Sequence, residues 1–350
     1  MSGPTGMKVT VAGAGALGSV LALFLADAGA EVTLVDPGGR PNASAVAAGM
    51  VAPVFEALLD GDTGVDFAVL SEAAALWGPL SARIGVQPDR AGALAVATAE
   101  TLEAWEAAAQ RLGATVARRS AGEAEALVSG LKAADGALFT TGDFRIDPAA
   151  VLAAVARAGS VRRVLGRIAG YSAGVVRLEA GETWAADRLV VATGAAVGLA
   201  EAVPELKALR PIKGHILRLA GGPSAGPMVR LARGYLCPSP GGAIVGASMQ
   251  PGRCDTEIEP EVVARLLDQA RAAFPALDGA GLVAAAGVRA ETPDHLPLAG
   301  RSTTPDMWIA GGARRNGWLL APLIARALTD ALLSDGEPQL PAGFDPRRFG

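Results

Sequence analysis

The stretch from Lys8 to Asp36, KVTVAGAGALGSVLALFLADAGAEVTLVD, constrains the fold more than any other part of the chain. Val9 to Val11 reads as a short apolar strand, and Gly13-Ala14-Gly15-Ala16-Leu17-Gly18 fits G-x-G-x-x-G. An apolar helix to about Ala28 follows, then a second strand from Glu31 to Val35 that ends in Asp36. Together these make a complete βαβ nucleotide-binding unit. Gly13 permits the tight turn, Gly15 lets backbone amides approach a pyrophosphate at the helix N-terminus, and Gly18 lets helix and strand pack closely. Asp36 is placed to accept hydrogen bonds from ribose hydroxyls.

Val9 to Ala26 carries no charge, so a signal peptide or membrane helix is the competing reading. Two glycines interrupt what would have to be a continuous apolar core, and the polar signals fall where a strand and a turn would end. The expectation is therefore a cytoplasmic protein without a membrane span. The 350 residues suffice for one large or two medium domains. A net charge of -4 offers no electrostatic case for nucleic acid. Cys237 and Cys254 lack metal-ligand spacing, and His215 and His295 are the only histidines, so no metal site is expected. Whatever chemistry occurs belongs to a bound cofactor.

After the turn at residues 37–41 comes ASAVAAGMVAP, Ala43 to Pro53, which is too apolar for an ordinary loop. Small residues let backbone come close to something flat, and Ser44 can donate to a phosphate; close helix packing would use the same residues. Placed directly after a βαβ unit, this stretch resembles the flavin-binding segment of the D-amino-acid oxidase and glycine oxidase family, the glycine oxidases associated with thiamine biosynthesis in particular. Further motifs follow in order. Gly287-Val288-Arg289-Ala290-Glu291-Thr292-Pro293-Asp294 is one, and Arg315-Asn316-Gly317-Trp318-Leu319-Leu320-Ala321-Pro322, opening a helix near Gly317, is another. The strand Asp187 to Gly194 resembles the one that rejoins the nucleotide sheet in such flavoproteins.

Between these motifs the chain reads as a helix over Asp66 to Ile84, a strand at Ala93 to Ala97, a helix from Thr101 to Leu112, and a Gly/Ala-rich stretch from Ser120 to Gly136. Asp147 and Pro148 begin another helix, with Asp147 as N-cap. Alternation marks strands at Pro211 to Leu219, Met228 to Cys237 and Ala243 to Ala247, before a helix from Pro260 to Phe274. The expected fold is α/β, a Rossmann-like FAD-binding domain with an inserted antiparallel-sheet substrate domain. The expected boundaries are 1–84, 145–209 and 288–350 for the first, and 85–144 and 210–287 for the second.

The resemblance implies FAD as cofactor, bound through Gly13, Gly15, Ala16, Leu17, Gly18, Asp36, Ala43, Ser44, Ala48, Gly49, Met50, Val164, Gly194, Ala313, Arg314, Arg315, Asn316, Gly317, Trp318 and Leu319. Val164 is the loosest of these matches and reads equally well as a buried strand residue. It also implies a substrate site of Tyr235, Arg289 and Arg315, with Arg289 holding the carboxylate and thereby aiming the α-carbon at flavin N5. Out of context, Arg289 could instead be a structural ion pair with Glu291 or Asp294. Many relatives carry His and an aromatic residue before Arg-Asn-Gly, where this chain has Ala313-Arg314, and Trp318 stands where a smaller residue is usual.

The activity implied is oxidative deamination of glycine or a small amino acid. The α-hydrogen goes as hydride to the flavin, an imine forms, and oxygen is reduced to hydrogen peroxide. The imine would serve thiazole synthesis for thiamine, and no protein general base is obligatory. Alternatives are a sarcosine or D-amino-acid oxidase or dehydrogenase of the same fold, an NAD-linked dehydrogenase built on the βαβ unit, or a non-catalytic module that retains FAD. The resemblance leaves a homo-oligomer open.

Overall fold

The computed structural model describes residues 6–39, 42–59, 64–158, 160–277 and 281–350. Arg40 and Pro41 of the first turn lie outside the described residues. Two large sheets organise the chain. The first has six strands in the order Leu298–Arg301, Met307–Gly311, Arg188–Val191, Lys8–Ala12, Glu31–Asp36 and Val161–Leu165, parallel except for the first pair. Lys8–Ala12 is central, flanked in register by Val32 and Leu34 on one side and by Leu189 and Val190 on the other. Burial on both faces explains why these strands are runs of Val, Leu and Ile rather than alternating patterns.

The glycine-rich helix Ala16–Asp27 buries Val20, Leu21, Leu23 and Leu25 in the same core as Val9, Val11, Val32 and Leu34. The closing helix Gly317–Ser334 packs against it. This is the one helix among the described residues that is long and apolar enough to span a membrane, and 72% of it is buried inside the protein.

The second sheet joins segments far apart in the chain. Its order is Gln250–Pro251, Arg210–Leu219, Gly242–Gly246, Gly234–Ser239, Met228–Leu231, Ala93–Val96, Ala137–Thr140 and Ala117–Arg119, and Val283–Glu291 pairs along the length of Arg210–Leu219. The pairings are antiparallel with one exception, Met228–Leu231 running parallel to Ala93–Val96. The helix Pro260–Ala273 covers this sheet, burying Val262, Leu266, Ala270 and Ala273 at helical spacing.

Local differences from the sequence expectations have physical causes. The helix expected over Asp66 to Ile84 is two helices, Phe67–Ala75 and Trp77–Ile84, joined at Leu76. Pro79 has no amide to continue the first helix, and its ring crowds the carbonyl of Ala75. The single strand expected over Met228 to Cys237 is a hairpin that turns at Ala232-Arg233, with Gly234 at φ 112 opening the return strand. The stretch Ser120 to Gly136 contains a helix, Ala121–Leu127, started by a capping box between Ser120 and Glu123. The helix at Pro148 is capped by Asp147, whose carboxylate accepts from the amides of Ala149 and Ala150.

Restarting the helix at Trp77 places that indole, fully buried, against the closing helix. Its Nε1 donates to the Trp318 carbonyl at 3.0 Å, and the two rings lie 6.1 Å apart in a tilted arrangement. Replacing Trp77 with Ala removes both a core ring and a buried donor. The expected cost is about 3–5 kcal/mol, read as a lower denaturant midpoint in equilibrium unfolding.

Candidate active site

The site is built from the N-terminal ends of two helices and one face of the second sheet. At the first helix, Gly13 takes φ 107, and a side chain there would collide with the Ala192 carbonyl. A Cβ at Gly18 would collide with the Gly13 carbonyl, so only glycine lets the helix sit this close to its own turn. Asp36 accepts from the Ala14 amide at 3.0 Å and the Gly38 amide at 2.8 Å, which fixes the end of its strand beside the loop. Ser44 Oγ accepts from the Ala16 amide at 2.9 Å, leaving its hydroxyl proton for an acceptor in the cavity. The Gly15 amide has no hydrogen-bond partner among the described residues.

These groups border a cavity of about 900 Å³ that also receives Gly166 to Ile168, Ala192 to Ala196 and Gly311 to Arg315. Cβ atoms at Gly194 and Gly317 would meet nothing within 4 Å, so side chains there would project into open space. The cradle suits FAD. The glycine-rich helix end accommodates a pyrophosphate, Asp36 accommodates a ribose, and small residues leave room for flat rings.

A second cavity of about 510 Å³ lies against the second sheet and joins the first at Ala43, Ala47, Arg289, Arg315 and Trp318. Tyr235 lines it, buried, with its phenol pushed up by burial and its hydroxyl close over Gly246. Arg289 reaches it from strand Val283–Glu291, its guanidinium lying across Gly214, where a side chain would displace it. Arg289 donates to the Ser248 carbonyl and Met249 Sδ, both at 3.4 Å, and forms no ion pair among the described residues. Burial holds its pKa below the usual value. The acids suspected of pairing with it are engaged elsewhere: Glu291 lies 3.2 Å from both His295 Nδ1 and Arg314 Nε, and Asp294 lies 2.8 Å from Arg348.

Most of the residues expected at the site border one of these cavities. Gly13, Gly15, Ala16, Leu17, Asp36, Ala43, Ser44, Gly194, Ala313, Arg314, Arg315, Gly317 and Trp318 line the first. Ala48, Gly49, Met50, Tyr235, Arg289, Arg315, Asn316 and Trp318 line the second. Three expected cofactor contacts border neither. Gly18 is packed inside its helix turn, Leu319 belongs to the main core, and Val164 pairs with Val35 in the sheet. For Val164 it is the following residues, Gly166 to Ile168, that reach the cavity. Trp318, the departure from the usual pattern, donates from its indole to the Ser44 carbonyl at 3.0 Å and so ties the closing helix to the Ala43–Val46 turn.

Two functional groups escaped the sequence reading, Glu56 and Arg230. Glu56 is buried on the helix Pro53–Leu59, whose first amides, of Val54 and Phe55, donate to Asp143 at 2.8 and 3.1 Å. One Glu56 oxygen receives Arg230 at 2.8 Å and the other receives Arg315 at 2.7 Å. Burial alone would raise the Glu56 pKa, but the two guanidiniums outweigh it and hold it at about 2. Burial pushes Asp143 the other way, to about 7. The signal for Arg230 was a lone charge inside the apolar strand Met228–Leu231, directly across from Tyr235. Neither histidine supplies a base to the second cavity: the His215 ring is held by Ser248 Oγ at 3.0 Å and the Glu257 carbonyl at 3.2 Å, and His295 stands beside Glu291.

Residues 8–331 match the family described as FAD dependent oxidoreductase. A glycine oxidase from Bacillus licheniformis is 31% identical, over 93% of this chain and 92% of its own. The tRNA 5-methylaminomethyl-2-thiouridine biosynthesis bifunctional protein of a Caulobacter species is 30% identical over 99% of this chain, which spans only 58% of that relative's length. The crystal structure of glycine oxidase from Geobacillus kaustophilus superposes with a TM-score of 0.84 at 25% identity, covering 98% of this chain and 99% of the other.

Replacing Glu56 with Gln leaves Arg230 buried without its counter-charge, at an expected cost of about 3–5 kcal/mol at neutral pH. The carboxylate's folded pKa is depressed, so its contribution is full above the unfolded value of 4.5 and is lost as pH falls toward about 2. Denaturant midpoints of the two proteins, measured from pH 7 to pH 2, should therefore converge at the acid end.

Proposed function

Because this chain belongs to the FAD dependent oxidoreductase family, we propose that it oxidises the carbon–nitrogen bond of glycine or another small amine bearing a carboxylate, with oxygen as the electron acceptor. The observation that carries this reading is Arg289, a cation without a counter-ion among the described residues, at the junction of the two cavities. A guanidinium in that setting favours a bidentate carboxylate, which compensates its charge and satisfies its donors together. Tyr235, from strand Gly234–Ser239 of the same sheet, lines the cavity with it. Glu56 keeps Arg230 and Arg315 in place, so the carboxylate meets a pre-organised wall rather than mobile side chains.

Bound FAD supplies the two-electron acceptor for the α-hydrogen, so the chain's own residues need only hold the α-carbon in line and exclude bulk water. The absence of histidine from the lining of the second cavity accords with a substrate that enters with a neutral amine. The amine leaves as an imine, which water hydrolyses to the oxo acid and ammonia or which a thiazole-forming enzyme of thiamine synthesis consumes. Two electrons and two protons convert oxygen to hydrogen peroxide. Sarcosine and D-amino acids share the carboxylate and α-hydrogen that this site addresses and stand as the nearest alternatives. The NAD-linked reading of the βαβ unit is set aside by the family's cofactor. We place the enzyme in the cytoplasm.

Arg289→Ala should retain FAD and lose two to four decades of kcat/KM, the equivalent of about 3–5 kcal/mol. Anaerobic addition of glycine should bleach the flavin band of the wild-type protein and leave that of the variant oxidised. Bleaching of the variant at the wild-type rate would remove the carboxylate role from Arg289.

A further inference from the structure

The second cavity is more cationic than one amino-acid carboxylate requires. Among the charged side chains that line it are five arginines, Arg230, Arg233, Arg265, Arg289 and Arg315, and one carboxylate, Glu56, a surplus of four positive charges. The whole chain has a net charge of -4, so this concentration of positive charge is local and runs against the average. The arginines form two sets. On the inner side, Glu56 is shared by Arg230 and Arg315 while Arg289 forms no ion pair among the described residues. On the outer side, Arg233 stands at the tip of the hairpin between Met228–Leu231 and Gly234–Ser239, and Arg265 stands on the helix that packs against it. Both outer arginines are exposed, and neither forms an ion pair among the described residues.

A cleft of one sign, walled by low-dielectric protein, focuses its field and concentrates ligands of the opposite charge. Glycine would answer Arg289 and leave the outer pair without a ligand, and its volume is small against a cavity of about 510 Å³. Resting on the oxidase reading above, we propose that the preferred substrate is an amine with two carboxylates. One lies beside the oxidised carbon and binds Arg289. The second lies several bonds away, beyond the nitrogen, and binds Arg233 and Arg265 at the mouth. A small diacid fits the observations better than a nucleic acid, because the positive surplus lines a cavity of about 510 Å³ in a protein of net charge -4.

The first test is a binding titration of the FAD-loaded protein, followed through the flavin absorbance, with thiodiacetate and with its monoamide. Neither ligand has an amine to be oxidised, and the two differ only in the second charge. The diacid should bind at least tenfold more tightly, and Arg233→Gln combined with Arg265→Gln should remove that advantage while leaving the monoamide unchanged. Equal affinities in the wild-type protein, or an equal loss for both ligands in the variant, would overturn the proposal. So would displacement of the diacid by bulk tRNA at equal or lower concentration, which would assign the mouth to a polyanion.

The second test is turnover with iminodiacetate against its monoamide, where kcat/KM should favour the diacid by tenfold or more, chiefly through KM. The two readings fail separately. Bleaching by glycine with no preference for diacids rejects the diacid class alone. Tight diacid binding with no bleaching by any amine rejects the oxidase reading and leaves the anion class standing.

Discussion

One carboxylate joins the two halves of the site. Glu56 accepts Arg230 from the large sheet and Arg315 from the turn that opens the closing helix, so its two oxygens bridge elements far apart in the chain. A paired charge removed from water persists only when its partners are well placed, and the two guanidiniums stand at 2.8 and 2.7 Å from its two oxygens. Asp143 supports the arrangement from behind by binding the first amides of the helix that carries Glu56. Together with the Arg314 amide, which donates to the Ala290 carbonyl at 2.9 Å, this carboxylate ties the second cavity's wall to the turn beside the first cavity.

The nucleotide half of the fold was legible because its signals are local. A turn that only glycine can make, an acid at the end of the next strand and an unbroken apolar helix all lie within Lys8 to Asp36, and the structure brings them together as read. The second sheet was legible as strands but not as a topology. Ala93–Val96 lies parallel to Met228–Leu231, and no short-range pattern reveals a pairing between residues so far apart. The hairpin at Ala232-Arg233 was hidden because Gly234 sits within an alternation that continues through it.

The site divides in the same way. Arg289 and Tyr235 were both implied by the family resemblance, but their use of Gly214 and Gly246 as platforms depends on sheet register. Glu56 and Arg230 are 174 residues apart and meet only after folding. Each looks unremarkable alone, one charge on a short helix and one in a strand, and their meaning lies in the pairing. Leu319 shows a different limit of reading by neighbourhood. It adjoins residues that face the cofactor, but one step along a helix turns a side chain by about 100°, and this one enters the core.

Trp318 has a consequence beyond packing. Its indole borders both cavities, hydrogen-bonds the Ser44 carbonyl and lies 6.1 Å from the fully buried Trp77 ring. Tryptophan emission overlaps flavin absorption, so a cofactor seated in the first cavity would drain excitation from this pair by energy transfer. The chain thus carries its own optical gauge: ultraviolet-excited fluorescence would be dim when the cradle is filled and bright when it is emptied, without any label attached.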